Sequence, residues 1–320
     1  MPYEQEKQAA IAAVIQAAQL CERVRQGLVP QVIEKNDKSP VTIADYGAQA
    51  VICKALSAAF PGDPVVGEED TTDLRQPEAA TVLAAVTEQV QQLVPSATDA
   101  NILSWIDHGN GTVAPRYWTL DPIDGTKGFL RGDQYAIALA LVVDGDIKVG
   151  VLGCPFLSFG GETGLLFVAV RGEGATTVPL AGGDPQPLRV AEAGDRDRFR
   201  LVESVESGHG DLNQQGQVAQ TVGITTPSLR MDSQAKYAAV AAGQAALYLR
   251  LPSPKTPNYR EKIWDHAAGV LVVEEAGGKV TDMHGKPLDF ASAARFPNNP
   301  GVVASNGSIH DAVLKALAEQ

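Results

Sequence analysis

Apolar positions recur at helical spacing over residues 4–26. Ile11, Val14, Ile15 and Leu20 fall on one face of an Ala-rich segment that Gly27 and Pro30 end. The polar stretch Lys-Asn-Asp-Lys-Ser-Pro reads as a loop. It leads through Val41-Thr42-Ile43-Ala44 to a second helix, predicted over 45–60 and stopped by Pro61-Gly62-Asp63-Pro64. Val65-Val66 reads as a short strand that delivers Gly67-Glu68-Glu69-Asp70. Residues 71–112 are polar and partly helical, a peripheral excursion. The pattern then turns strand-like at 117–120, 135–143, 147–153 and 164–170. Asp-Gly and Gly-rich turns between these segments predict an antiparallel sheet. The stretch 179–198 is rich in Pro, Gly and charge, and divides the chain into halves 1–194 and 195–320. Beyond it strand and helix alternate: strand 200–205, helix 233–246, strand 246–251, helix 265–276 closed by Gly277-Gly278, strand 279–283 and helix 309–318. Such alternation predicts a mixed or parallel sheet covered by helices.

Composition narrows the class. A chain of 320 residues, 44% hydrophobic and 20% charged, is globular and long enough to bury a sizeable core without disulfides or structural metal. Its longest apolar run, 135–143, is too short for a membrane span of about 20 residues. The N-terminal stretch MPYEQEKQAA carries acids and no apolar core, unlike a signal peptide, so a cytoplasmic setting is expected. The three cysteines, Cys21, Cys53 and Cys154, lack metal-type spacing and read as buried thiols, with a Cys21–Cys53 redox pair as the alternative.

The charge changes the functional picture. With 26 basic and 38 acidic residues the net charge is −12, which disfavours a nucleic-acid backbone binder. If the substrate is an anion, the site must reverse the local sign, and bound cations do that economically.

The strongest chemical signal is Trp118-Thr-Leu-Asp121-Pro-Ile-Asp124-Gly-Thr126. A strand ends, and two carboxylates follow three residues apart across a turn that Pro122 restricts and Gly125 permits. Such a turn can aim Asp121, Asp124 and the Ile123 carbonyl at one point, an oxygen-only donor set suited to Mg²⁺. Free N–H groups at Gly125, Thr126 and Lys127 can hold phosphate oxygens. Asp-Pro and Asp-Gly are also ordinary turn makers. Gly67-Glu68-Glu69 can equally be a surface loop, and Asp45 and Asp265 plain helix caps. Asp45, Glu68, Asp121, Asp124 and Asp265 all stand at the ends of predicted elements, and their order and neighbours are what make them specific.

Four stretches carry a resemblance: Pro40-Val-Thr-Ile-Ala-Asp45, Gly67-Glu-Glu, Asp121-Pro-Ile-Asp-Gly-Thr126, and Trp264-Asp-His-Ala-Ala-Gly269 followed by Glu-Ala-Gly-Gly. In order and spacing over nearly the whole chain they resemble the lithium-sensitive, Mg²⁺-dependent phosphatase superfamily that includes inositol monophosphatase and fructose-1,6-bisphosphatase. Asp-Gly-Thr-Lys-Gly-Phe-Leu-Arg-Gly, Val205-Glu-Ser-Gly-His-Gly and Met231-Asp-Ser-Gln-Ala-Lys-Tyr, ahead of Tyr248-Leu-Arg-Leu-Pro, resemble its 3′(2′),5′-bisphosphate nucleotidases.

The resemblance implies a layered α-β-α-β-α fold, the sugar-phosphatase architecture, with an antiparallel-sheet half and a mixed-sheet α/β half. It implies two or three Mg²⁺ ions held by Glu68, Asp121, the Ile123 carbonyl, Asp124 and Asp265, with Thr126 and Asp45 taking the proton of an attacking water. The implied substrate is adenosine 3′,5′-bisphosphate (PAP), with 3′-phosphoadenylyl sulfate (PAPS) as a second. Gly125 and Thr126 are expected on the transferred phosphate, Ser233, Lys236 and Arg250 on the 5′-phosphate, and His209 on the nucleoside. Inhibition by Li⁺ follows from the same resemblance. The expected partners are small nucleotides, neither nucleic acid nor membrane, in a monomer or weak homodimer. An inositol monophosphatase, an inositol-polyphosphate 1-phosphatase, and a non-catalytic nucleotide sensor are the competing readings.

Overall fold

The computed structural model describes residues 2–27, 32–34, 40–195, 197–206, 212–253, 256 and 258–319. Helix α1 (Glu4–Gly27) buries Ala10, Ala13, Val14, Ala17, Leu20, Cys21 and Val24, the stripe expected of an amphipathic helix. Strands β1 (Val32–Glu34) and β2 (Pro40–Thr42) pair antiparallel on either side of the expected polar loop, of which only Pro40 is among the described residues. Helix α2 (Ile43–Ala59) starts two residues before the prediction, because Thr42 is the cap. Its side chain accepts from the Ala44 and Asp45 N–H groups, and the Asp45 carboxylate reaches back to the Thr42 N–H.

A seven-stranded sheet follows, from β3 (Val65–Gly67), β4 (Arg116–Asp124), β5 (Ala136–Val143), β6 (Asp146–Phe159), β7 (Glu162–Val170), β8 (Gly174–Pro179) and β9 (Gln186–Pro187). They lie in chain order, antiparallel throughout except for the parallel β3–β4 pair. The excursion between β3 and β4 holds α3 (Ala80–Gln91) and α4 (Asp99–Asp107). Asp144 and Gly145, with φ of 50° and 77°, make the two-residue turn from β5 to β6. The short α5 (Thr126–Arg131) sits between β4 and β5.

The remaining elements are β10 (Arg200–Glu203), α6 (Leu212–Thr221), β11 (Thr226–Arg230), α7 (Ala235–Ala241), β12 (Leu247–Arg250), α8 (Ala267–Glu275), β13 (Lys279–Thr281), β14 (Val302–Ser305) and α9 (His310–Ala318). Their five strands form a mixed sheet in the order β11-β10-β12-β14-β13. β10 runs parallel to β11 and β12, while β14 is antiparallel to β12 and β13. Helix α7 is shorter than predicted, because Ser233 and Gly243 take left-handed φ of 65° and 66° at its two ends.

The layers are α1 and α2, the large sheet, α7 and α8, the small sheet, and α6 with α9. This is the expected α-β-α-β-α sandwich. β5 shows how it is built. Ala136, Ala138, Ala140 and Val142 join the core shared with α7 and α8, whereas Ile137, Leu139 and Leu141 join the core under α1 and α2. Both faces are covered, so the strand is apolar without alternation. α8, pressed between two sheets, buries every residue from Ala267 to Val273 for the same reason.

All three cysteines are free and fully buried, Cys21 and Cys53 in the outer core and Cys154 in the central one. Burial pushes each thiol well above its ordinary range. Among the described residues no helix is long and apolar enough to cross a membrane.

Candidate active site

The site grows from the ends of β3 and β4. Their parallel register sets Gly67 beside Leu120, and the Glu68 N–H donates to the Leu120 carbonyl at 3.1 Å, so Glu68 and Asp121 leave the sheet edge together. Gln49 of α2 steadies the next residue. Its Oε1 accepts from the Glu69 N–H (3.0 Å), and its Nε2 donates to the carbonyls of Glu69 and Ile106. β4 runs to Asp124, four residues beyond the expected end, and the ladder slips between Asp121 and Asp124. That irregularity makes the turn that separates the two carboxylates.

Gly125 then takes φ 89° ahead of α5, a left-handed conformation costly for other residues. At Gly128 a Cβ would lie 2.1 Å from the Gln134 carbonyl oxygen, so only glycine lets α5 fold back against the following chain. The Thr126 hydroxyl stands 3.2 Å from Asp45 Oδ1 and 3.3 Å from the Ile123 carbonyl. The other Asp45 oxygen accepts from the Thr42 N–H (2.8 Å) and hydroxyl (2.5 Å). Asp45 is therefore a member of a helix cap and a partner of Thr126 at once.

Asp265 lies in a 3-10 turn, Ile263–Asp265, ahead of α8. The position before that helix belongs to His266, with no side-chain cap, so Asp265 is not an N-cap. Burial pushes the Asp121 carboxyl well above the usual range, and the charges of Glu68, Asp124 and Asp265 push it further. Asp265 is raised by burial and then by Asp124 and Glu68. Asp124 is pushed up to about 6 by burial, against the pull of Lys236 and of a 2.6 Å hydrogen bond from the Gln234 N–H. Four carboxylates with only oxygen donors, two of them raised chiefly by burial and further by one another's charge, fit a hard divalent cation such as Mg²⁺. A second group, Glu261, Asp265 and His266, has its ligand atoms within 4.8 Å of one another. There Glu261 is already engaged by Arg250, at 3.0 Å.

The same cavity is also lined by cations. Ser233 precedes α7, and its Oγ accepts from the Ala235 N–H at 3.2 Å. Lys236 is 3% exposed, with Nζ 3.4 Å from the Met231 carbonyl and 5.4 Å from the Tyr248 ring centroid. Burial pushes it down to about 8, despite Asp124 nearby. Arg250 ends β12; burial works against its charge, and Glu261 more than restores it.

One cavity of about 490 Å³ is lined by Glu68, Asp124, Gly125, Thr126, Ser233, Lys236, Arg250 and Asp265. Asp45, Asp121 and Ile123 are buried and do not line it. His209 lies outside the described residues. At the mouth Lys127 and Arg131 pair with Glu206 at 3.5 and 2.6 Å, and Arg131 also holds Asp232. Sequence reading passed over Gln234, Glu261 and His266. Gln234 joins Asp124, the Trp264 carbonyl and the Gly269 N–H, so it ties the β4 turn to α8. Its place inside Met231-Asp-Ser-Gln was the only local sign of it.

The sequence matches the inositol monophosphatase family over residues 3–320. It is 41% identical to a 3′(2′),5′-bisphosphate nucleotidase of Emericella nidulans, covering 99% of this chain and 98% of that protein. It is 43% identical to the nucleotidase of the same name in Schizosaccharomyces pombe, over 99% and 96% of the two chains. Among solved structures it resembles the IMPase of Thermotoga maritima, with a TM-score of 0.66 at 24% identity over 97% of this chain and 95% of that one. It also resembles an inositol monophosphatase from Anabaena, with a TM-score of 0.61 at 21% identity over 100% and 97%. The two likenesses show the fold; the full-length match and the two nucleotidase relatives show the lineage: this chain belongs to the inositol monophosphatase family, whose members are in general Mg²⁺-dependent.

Proposed function

We propose that this chain is a 3′(2′),5′-bisphosphate nucleotidase that removes the 3′-phosphate of adenosine 3′,5′-bisphosphate, giving AMP and phosphate, and that it treats 3′-phosphoadenylyl sulfate in the same way. The observation that supports the reading is that one cavity gathers carboxylates and Thr126 together with buried Lys236 and half-buried Arg250. A substrate with phosphates at both ends of a ribose suits such a site, and the net charge of −12 makes the local reversal of sign necessary. The names of the two fungal relatives support it.

In this reading Glu68, Asp121, the Ile123 carbonyl, Asp124 and Asp265 hold two or three Mg²⁺ ions, which when bound neutralise phosphate charge and acidify a water. The chain's residues do the rest. Thr126 orients the water through its hydroxyl and passes a proton on to Asp45, while the water oxygen forms a bond to phosphorus, the bond to ribose O3′ breaks, and O3′ leaves as the alcohol by taking a proton from solvent water. The Gly125 and Thr126 N–H groups face the transferred phosphate oxygens. Ser233, Lys236 and Arg250 bind the 5′-phosphate, and His209 meets the nucleoside. Tyr259, 44% exposed at the cavity rim with the Arg295 guanidinium 5.5 Å from its ring centroid, offers a face to the base. The halves 1–194 and 195–320 thus supply the phosphatase and nucleotide ends respectively, apart from Asp265.

The test is phosphate release with Mg²⁺ from adenosine 3′,5′-bisphosphate, its sulfated analogue, inositol 1-phosphate, inositol 1,4-bisphosphate and fructose 1,6-bisphosphate, with and without Li⁺. The reading expects the adenosine compounds to dominate and Li⁺ to inhibit. Preference for an inositol phosphate would replace it with an inositol phosphatase. Nucleotide binding without turnover would replace it with a sensor.

A further inference from the structure

Glu261 is buried, 7% exposed, and does not line the cavity. One carboxylate oxygen accepts from Arg250 Nε at 3.0 Å. The other lies 3.6 Å from His266 Nε2, and neither of these two atoms has a hydrogen-bond partner elsewhere among the described residues. The far side of the imidazole is fixed, with Nδ1 2.6 Å from the Tyr237 hydroxyl. The imidazole therefore spans from the Tyr237 hydroxyl at Nδ1 to the Glu261 carboxylate at Nε2. The backbone of Glu261 is pinned separately. The Phe296 N–H donates to its carbonyl at 3.0 Å, and the Ile263 N–H donates to Ala294 at 3.1 Å.

We infer that Glu261 is a positioning residue, held by His266 and Tyr237, that fixes the Arg250 guanidinium by its Nε and so turns its terminal nitrogens to the cavity as the determinant of bisphosphate over monophosphate substrates. The inference rests on the nucleotidase reading. The geometry requires such a residue. An Arg side chain at the end of β12 has many rotamers and a half-buried charge, and a single carboxylate on a pinned segment limits the rotamers and pairs the charge. Arg250 then meets the 5′-phosphate already ordered, so part of the ordering cost falls before binding.

The test compares adenosine 3′,5′-bisphosphate with 3′-AMP, which lacks the 5′-phosphate. Glu261→Gln keeps the shape and removes the charge. It should raise KM for the bisphosphate about tenfold, as for one lost charge-assisted contact, and leave kcat/KM for 3′-AMP within about twofold. Glu261→Asp should recover part of the loss. Arg250→Ala should lose the discrimination, and the double variant Arg250→Ala/Glu261→Gln, which leaves no unpaired charge, should do no worse on the bisphosphate than Arg250→Ala. Equal losses on both substrates in Glu261→Gln, or additive losses in the double variant, would overturn the inference and leave the nucleotidase reading intact. A wild type that does not distinguish the two substrates would remove both.

Discussion

The Thr126 hydroxyl meets Asp45 Oδ1 at 3.2 Å, joining the first turns of two helices 81 residues apart in the chain. Thr126→Val removes the hydroxyl and keeps the volume. It should lower kcat by about 100-fold or more with little change in melting temperature. Asp45→Ala should lower kcat as much and also cost about 1 kcal/mol of stability, because the α2 cap goes with it. Steady-state rates beside urea unfolding curves separate the two effects.

The carboxylate cluster predicts an unusual pH dependence in a chelator. Asp124 is raised from 3.8 to about 6 in the folded chain, and Asp121 and Asp265 well above the usual range. Between the unfolded and folded values the folded state holds more protons, so these groups stabilise at low pH and that stability is lost as pH rises through the folded values. Without divalent cations, calorimetry should show this cluster lowering the melting temperature between about pH 4 and 7. Saturating Mg²⁺ should flatten or reverse the trend. Asp121→Asn should raise the metal-free melting temperature and shrink the Mg²⁺-induced shift. An identical slope with and without Mg²⁺ would count against a cation at this place.

Lys236 works in the opposite sense. Its folded value of about 8 lies below its ordinary 10.5, so between the two the unfolded chain holds more protons and stability rises with pH. Affinity for a 5′-phosphate needs the charged amine and should fall over the same interval. Calorimetric titration with AMP at pH 7 and pH 9.5 should show weaker binding at the higher pH. Lys236→Arg, which keeps its charge, should abolish most of that difference.

Gly128→Ala drives a methyl group into the Gln134 carbonyl oxygen, 2.1 Å away. Backbone cannot yield as a side chain does, so the substitution should cost about 1–3 kcal/mol and displace α5, lowering kcat with it. Chemical denaturation and activity on one preparation test this.

What was readable in the sequence was local. Asp121, Asp124, Gly125 and Thr126 lie within six residues, and their strand-to-turn pattern survives in the structure with only the strand end moved to Asp124. The layer order came from the family resemblance, and an apolar run such as β5 is consistent with it because both of its faces are covered. Partners that meet only through tertiary folding were not readable: Gln234 reaches Asp124 across 110 residues, and Glu261 reaches Arg250 from a segment with no periodicity. Strand β11 was missed because Thr-Pro-Ser-Leu-Arg neither alternates nor excludes proline, as an edge strand can afford. β14 was missed because a four-residue strand with both faces covered carries no pattern of its own.

The placement of the three thiols makes the folded chain its own reporter. A membrane of packed side chains shields Cys21 and Cys53 on one side of the large sheet and Cys154 on the other. An alkylating reagent can reach them only when a layer separates. The order in which the corresponding mass increments arrive would therefore tell whether the sandwich comes apart leaf by leaf or all at once.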